Sequence, residues 1–455
     1  MDNKKLFGTS GIRDKIGNVI NGELALNVGR AIATYLGGEG NIVVGYDTRT
    51  SNKLLEHAIT AGLIERGCNV IKLGMVPTPL SGYATYRLKA DSGIMLTASH
   101  NPSQYNGIKI WNKSGMAYTQ AQEREIEDIY FSKRFQELKW DNIGKIYENK
   151  IIQEDYINKL LSMVNIKPGL KVVIDPASGA ASYLSPLIFK QAGCEVVTLN
   201  SQLDGFFPGR NPEPNEANLQ DLKKAVIATK SDIGIAHDGD GDRMITVDNE
   251  GRVSGFDELL SIISKKYAKD GNTIITTVDA GMCVDDVVSS VGGKTVHTKV
   301  GDVSVAEAIM VENASFGGEP SGTWIHPEFC LCPDGILSGL KIAEIVSHEG
   351  NLSDLLDAVP NYLNIHEKIQ VHREEKIAVM KNVEKDIENV FDDVKNINTI
   401  DGVRLEFDDD AWILIRPSGT EDYIRITLEG KTIERADEIK KTSINLIKTY
   451  LNNEE

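Results

Sequence analysis

The sequence predicts a multidomain α/β protein that closes with an α+β unit. Three observations carry this. Strand and helix patterns alternate in three successive stretches, the C-terminal stretch switches to adjacent strands, and 455 residues suffice for about two to four domains. In the first stretch Leu24, Val28, Ile32 and Leu36 recur at helical spacing. Residues 41–45 then form an apolar strand pattern, a second helical stretch (Leu54, Leu55, Ala58, Ile59, Leu63) ends at Gly67, and 69–73 is a short strand. Strands separated by helices of this length imply a largely parallel sheet. The pattern returns as strand 170–175, helix 180–192 and strand 194–199, and again as strand 273–278, helix 282–291 and strand 294–300. The repetition lies in pattern, not in residue identity. Residues 399–407 and 411–415 look like adjacent strands joined by the acidic turn Asp408-Asp409-Asp410. Another strand follows at 423–428, and a closing helix at 432–450. Boundaries near Glu148, Glu250 and Pro360 divide the chain into 1–148, 149–250, 251–360 and 361–455.

Composition narrows the function classes. Lys plus Arg number 49 and Asp plus Glu 66, a net charge of −17, which speaks against a general affinity for nucleic acid or anionic membranes. A small anion can still be held by local cations and backbone amides. Cys68, Cys194, Cys283, Cys330 and Cys332 are odd in number and scattered, which suits reduced thiols and a cytoplasmic location rather than a disulfide framework. The close pair Cys330-Leu331-Cys332 lacks a second pair to complete a zinc site and reads as structural. No apolar run follows Met1-Asp2-Asn3-Lys4-Lys5, so no signal peptide is expected, and no stretch reaches the roughly 18 apolar residues of a membrane span.

Four loops concentrate polar chemistry. Thr97-Ala98-Ser99-His100-Asn101-Pro102 follows the apolar strand Ile94-Met95-Leu96, which puts Ser99 at a strand end, where α/β sites lie. Thr97 and Asn101 stand where a nucleophile elbow needs glycine, so a serine hydrolase is disfavoured. Asp238-Gly239-Asp240-Gly241-Asp242-Arg243 follows the apolar residues 233–236. Glycines let such a loop fold so that its carboxylates converge, and converging carboxylates call for a hard cation. Arg243 and Asn249 occupy the sixth and twelfth positions, where a calcium EF-hand requires Gly and Glu. Magnesium with open coordination positions is the better match. In Gly317-Gly318-Glu319-Pro320-Ser321-Gly322-Thr323, Glu319 and Ser321 can bond sugar hydroxyls, although alone the stretch reads equally as a glycine-rich turn. In Arg416-Pro417-Ser418-Gly419-Thr420-Glu421, with Arg425 beyond, the arginine fork and the Ser-Gly-Thr turn suit a phosphate; a plain hairpin turn is the other reading. Gly293-Lys294-Thr295 ends like a P-loop, but Val288 occupies its first glycine position, and no Gly-x-Gly-x-x-Gly follows the first strand.

Taken together and in this order, the four loops resemble those of the phosphohexose mutase superfamily of phosphoglucomutases, phosphomannomutases and phosphoglucosamine mutases. The resemblance runs from Phe7-Gly8-Thr9-Ser10-Gly11-Ile12-Arg13 to the Arg416 loop. It implies three similar α/β domains with mixed sheets plus a C-terminal α+β domain, four domains around a central cleft, each contributing one loop. It implies that Ser99 carries the phosphoryl group. One Mg2+ per chain would be held by Asp238, Asp240, Asp242 and the Ser99 phosphate, with Arg243 beside it. Glu319 and Ser321 match the sugar loop, and Arg416, Ser418, Gly419 and Thr420, with Arg425 beyond, the grip on the phosphate not being transferred. Arg13 and Lys109 match cations near the phosphoserine. The general base stays open between Lys109 and His100. Asp14 stands where many members have glycine, and Thr323 where several have histidine; His326 lies three residues further on.

The implied reaction moves a phosphoryl group between the 6- and 1-positions of a hexose through Ser99, with a hexose 1,6-bisphosphate as intermediate and activator. Gly-Glu-x-Ser-Gly and Thr298-Lys299-Val300-Gly301-Asp302 are most like the phosphoglucosamine mutases, so glucosamine phosphate is the first expectation. Phe207-Pro208-Gly209-Arg210-Asn211-Pro212-Glu213-Pro214 is shared with glucose- and mannose-directed members, which makes those sugars the second. A non-catalytic phosphosugar sensor should have lost Ser99 or a metal aspartate, and a phosphatase would release phosphate faster than isomer. The partners expected are a small hexose phosphate, no nucleic acid and no membrane, in a monomer or homodimer.

Overall fold

The computed structural model describes residues 5–8, 11–137, 140–372, 374–418 and 422–451. Four sheets follow one another along the chain. The first has six strands, in the order Ile12–Lys15, Tyr105–Asn112, Ser92–Leu96, Asn41–Tyr46, Asn69–Met75, Ile146–Glu148. Its centre is parallel, and Tyr105–Asn112 runs antiparallel to both neighbours. The β-branched run Ile42-Val43-Val44 is fully buried, as a strand covered on both faces requires. The helices Gly22–Tyr35 and Asn52–Glu65 pack against each other through Gly29 and Gly62. A Cβ on Gly62 would lie 2.2 Å from the Leu26 carbonyl oxygen. Asn21 caps the first of these helices by accepting from the Leu24 amide.

The second sheet orders its strands Met244–Asp248, Ile233–His237, Lys171–Asp175, Glu195–Thr198. The third orders them Lys294–Thr298, Thr273–Thr277, Phe316–Gly318, Trp324–Ile325. Each has parallel pairs and one antiparallel edge strand. Parallel pairs predominate in all three sheets, and the antiparallel strands make them the mixed sheets that the resemblance implies. The helix expected over 180–192 divides into a 3-10 turn, Ala180–Ser182, and the α-helix Leu184–Gln191.

The fourth sheet is wholly antiparallel: Leu363–Gln370, Tyr423–Gly430, Trp412–Pro417, Val403–Phe407, Val394–Asn398. The strand expected over 399–407 starts only at Val403. A turn interrupts it at Gly402 (φ +85°), and the separate edge strand Val394–Asn398 precedes it. The helices Lys376–Asp386 and Ile433–Leu451 carry apolar residues into this sheet's own core. One continuous core instead runs from Tyr83 and Trp111 through Ile174 and Ile235 to Phe316 and Leu340, joining the first three units. Val278, Met282, Trp412 and Leu414 form a small bridge between the third and fourth units.

Candidate active site

The strand Ser92–Leu96 is buried throughout and delivers the loop 97–102 to the centre of the molecule. Ser99 has φ +50°, a left-handed conformation that a serine holds only when its surroundings impose it. Here the surroundings are explicit. The Ser99 amide donates to Thr97 Oγ1 at 2.8 Å, and Thr97 Oγ1 donates to Asp47 Oδ2 at 2.7 Å. Asp47 is paired with Arg49, whose guanidinium donates to the carbonyls of Ser99, Asn101, Pro102 and Tyr105 at 2.6–2.9 Å. Arg49 thus satisfies four loop carbonyls at once.

The acidic loop connects the antiparallel strands Ile233–His237 and Met244–Asp248. Asp238 Oδ1 accepts from the amides of Gly241 and Arg243 at 2.9 and 3.3 Å, folding the loop around its own carboxylate. Ser99 Oγ donates to the other oxygen, Asp238 Oδ2, at 2.6 Å. The two loops meet at a glycine, since a Cβ on Gly239 would lie 2.6 Å from the Ser99 carbonyl oxygen. Asp240 Oδ2 accepts from Thr78 Oγ1 at 2.6 Å and from Lys109 Nζ at 2.9 Å. Lys109 also bonds Asp242 Oδ2.

Asp238, Asp240 and Asp242 are buried and can each place one oxygen within 4.8 Å of the others. Burial, with Asp240 and Asp242 close by, pushes the Asp238 carboxyl well up. Burial would raise Asp240 too, but Lys109 together with hydrogen bonds from Asp238 and Thr78 outweighs it and holds Asp240 below the usual carboxylate range. Asp240 Oδ1 and Asp242 Oδ1 are buried without a hydrogen-bond partner. Buried anionic oxygens without a donor are costly unless a cation uses them. An all-oxygen, thrice-anionic set is the donor chemistry of magnesium, so these residues fit that ion.

Arg13 and Lys109 lie on the paired strands Ile12–Lys15 and Tyr105–Asn112, with Arg13 opposite Gly107. Arg13 Nε is buried without a partner, and burial lowers the arginine against the pull of Asp240 and Asp242. Burial would lower Lys109, yet the same two carboxylates raise it. Arg243 likewise stays charged: Asp242, Asp238, Glu213 and Glu319 outweigh its burial. His100 Nδ1 lies 3.4 Å from Ser99 Oγ, and its Nε2 lies 3.5 Å from Glu213. Burial and the neighbouring cations Arg243, Arg13 and Lys109 push the ring down to about 3, so it is neutral at pH 7.

The sugar-loop candidates stand beside this cluster. Thr323 bridges to Arg243, and the Met244 amide donates to the Gly322 carbonyl at 3.3 Å, which stitches the third loop to the second. Glu319 Oε1 accepts from the Gly301 amide at 2.8 Å; burial, with Asp302 and Asp279, pushes the Glu319 carboxyl up to about 8. Ser321 Oγ donates to Thr323 Oγ1 at 3.0 Å. His326 is turned away into the core, bonded to Ser338 and Tyr267.

Arg416 and Arg425 face each other across adjacent strands, and Lys368 joins the same rung from the next strand. Three cations thus share one row of the sheet. Arg416 Nη1 pairs with Asp401 Oδ2 at 3.3 Å. The Ser418 carbonyl accepts from Lys376 Nζ at 2.8 Å. Gly419 and Thr420, like Thr9 and Ser10 of the N-terminal motif, lie outside the described residues.

The structure therefore brings Ser99, His100, Lys109, Arg13, Arg243 and the three aspartates into one cluster, with Glu319 and Ser321 adjoining it through the Thr323–Arg243 bridge. Arg416 connects less directly, through Asp401 to the loop that leads to Glu319. Sequence reasoning missed the groups that hold these loops. Arg49 and Asp47 gave no signal beyond following a strand. Arg210, which donates to Asp175 and to the His237 carbonyl beneath the acidic loop, lay in a segment read only for its resemblance. Lys368 sits on the exposed face of an edge strand whose apolar residues Leu363, Ile365 and Ile369 alternate with polar ones, Glu367 interrupting the row.

Family models for phosphoglucomutase/phosphomannomutase match the chain in order: α/β/α domain I over 4–137, domain II over 154–251, domain III over 256–362 and the C-terminal domain over 368–445. The chain belongs to the phosphoglucomutase/phosphomannomutase family and is a phosphohexomutase. A probable phosphoglucosamine mutase of Methanobrevibacter smithii is 62% identical over 98% of this chain and 99% of its own length. A phosphoglucosamine mutase of Methanococcus maripaludis is 46% identical over 98% and 99%. Among solved structures, a phosphoglucomutase/phosphomannomutase family protein of Burkholderia thailandensis superposes with a TM-score of 0.90 at 28% identity, covering 98% of both chains.

Proposed function

We propose that this enzyme interconverts glucosamine 6-phosphate and glucosamine 1-phosphate, with Ser99 as the phosphoryl carrier. The observation that carries the reading is Ser99 Oγ bonded at 2.6 Å to one of three buried, converging aspartates under Lys109. The names of the full-length relatives support the amino sugar.

The phosphoryl group leaves Ser99 for the free hydroxyl at C1 or C6, giving the 1,6-bisphosphate. After the sugar turns over, its other phosphoryl group returns to Ser99. The hydroxyl's lost proton balances the one Ser99 Oγ regains, so the step needs a relay rather than a net base. Neutral His100, 3.4 Å from Ser99 Oγ, has a lone pair to accept it, whereas Lys109 holds its proton between two carboxylates and suits charge compensation. Magnesium on Asp238, Asp240 and Asp242 would supply charge neutralisation at the serine phosphate. Arg13 and Arg243 offset charge on the transferring oxygens, Glu319 and Ser321 bond sugar hydroxyls, and Arg416, Ser418, Gly419, Thr420 and Arg425 hold the phosphate at rest. A hexose 1,6-bisphosphate primes Ser99. One chain carries all four loops, so a monomer suffices and a homodimer would work equally. Five buried free cysteines support a reducing, cytoplasmic setting.

The test is kcat/KM for glucosamine 6-phosphate, glucose 1-phosphate and mannose 1-phosphate on protein of known Ser99 phosphorylation, with magnesium and the matching bisphosphate. A preference of about tenfold for the amino sugar, about 1.4 kcal/mol of discrimination, is expected. Equal or better use of the other hexoses reassigns the substrate, and full turnover by Ser99→Ala removes the carrier role.

A further inference from the structure

The turn at Asp401-Gly402 lies against the backbone of Arg416. A Cβ on Gly402 would come 2.3 Å from the Ile415 carbonyl oxygen and 2.9 Å from Arg416 Cα, so only glycine lets the turn approach this closely. That approach sets Asp401 Oδ2 against Arg416 Nη1 at 3.3 Å, while the same oxygen accepts from the Val300 amide of the third unit, also at 3.3 Å. The next amide along, Gly301, donates to Glu319. Two consecutive amides of one loop are thus held by a carboxylate of the fourth unit and by the sugar-loop glutamate.

The charge geometry at Arg416 is selective. Asp401 takes the Nη1 corner of the guanidinium and leaves Nε, which is buried and without a partner. In arginine, Nε and Nη2 form one edge and can bind two oxygens of a single phosphate side by side. A carboxylate on the opposite corner fixes the plane of the fork without occupying that edge.

We infer that Asp401 is a positioning residue. It orients Arg416 for the resting phosphate and, through the Val300 amide, ties that grip to the loop whose next amide holds Glu319. This rests on Arg416 holding the resting phosphate, as proposed above.

The test is a steady-state double-mutant cycle on the full-length enzyme with Arg416→Ala, Asp401→Ala and the double variant, plus Asp401→Asn as the conservative control. Asp401→Ala is expected to raise KM about tenfold while kcat changes less than about twofold, the pattern of lost binding rather than lost chemistry. In the Arg416→Ala background it should add nothing. Asp401→Asn keeps an oxygen for both donors and should recover most of the loss. Additive effects overturn the inference. So does an unchanged KM in both Asp401 variants, or a fall in kcat with melting temperature at constant KM. If Arg416→Ala alone leaves KM unchanged, the failure lies in the phosphate grip itself and the inference falls with it; an altered KM there with none in the Asp401 variants isolates the failure to Asp401.

Discussion

At the scale of single residues, burial sets the protonation pattern of the site. Glu319 is the clearest case, because its folded-state value of about 8 stands above the ordinary 4.5 of a glutamate. The folded protein therefore binds a proton that the unfolded chain has released, and stability falls as pH rises. The contribution is fully present below about 4.5 and lost as pH passes through about 8. Glu319→Gln, which cannot ionise, should flatten this slope: its melting temperature should match the parent near pH 5 and exceed it by about 2 °C or more at pH 8.5. Parallel melting curves across that range would show that Glu319 ionises freely in the folded protein.

Among elements, the fit between the serine loop and the acidic loop depends on one missing methyl group. Gly239→Ala would set a Cβ 2.6 Å from the Ser99 carbonyl oxygen, and neither backbone has a flexible side chain to move aside. The loops must separate, carrying Asp238 away from Ser99 Oγ. A displacement of about 1 Å costs on the order of a hundredfold in positioning-dependent transfer. The expected result is a loss of that order in kcat with near-parental circular dichroism; retention of more than half the activity would mean that the contact is not needed. The legibility of the sequence divides along the same line. Ser99 and the three aspartates were visible because they sit in short polar loops after apolar strands, and Arg416 because it ends an apolar strand just before a Pro-Ser-Gly turn. Arg49, Asp47 and Arg210 were not, because their partners are backbone carbonyls and remote carboxylates that come near only after folding. Strand 363–370 was missed because it is an edge strand with alternating half-exposed residues, and 399–402 was read as strand because an Asp-Gly turn can interrupt a β pattern without changing its composition.

For the whole molecule, the seam between the third and fourth units is polar at its centre. Glu429 accepts from the Met282 amide at 2.8 Å, capping the helix Met282–Ser290, and from Trp412 Nε1 at 2.9 Å. Arg404 donates to the Val278 and Ala280 carbonyls at 2.6 and 3.4 Å and stacks on Trp412. Glu429→Ala strands a buried amide and the indole N–H, at about 1–3 kcal/mol each. Calorimetry should then show the fourth unit melting as a separate, earlier transition; a single transition displaced as a whole would assign Glu429 to global stability instead.

The continuous core that joins the first three units, and the separate core of the fourth, also govern how backbone amides meet solvent. Asn41–Tyr46, Lys171–Asp175 and Thr273–Thr277 each put buried residues into that shared core, while the first strand's other face fills its own unit's core, so their amide protons should trade with deuterium at slow, similar rates. Those on Trp412–Pro417 and Tyr423–Gly430 should trade faster and as their own group. The molecule is then a three-part body with a fourth part that can loosen alone, so the Arg416 strand can shift against the sheets that carry Ser99 and Asp238 without disturbing the bond between those two residues.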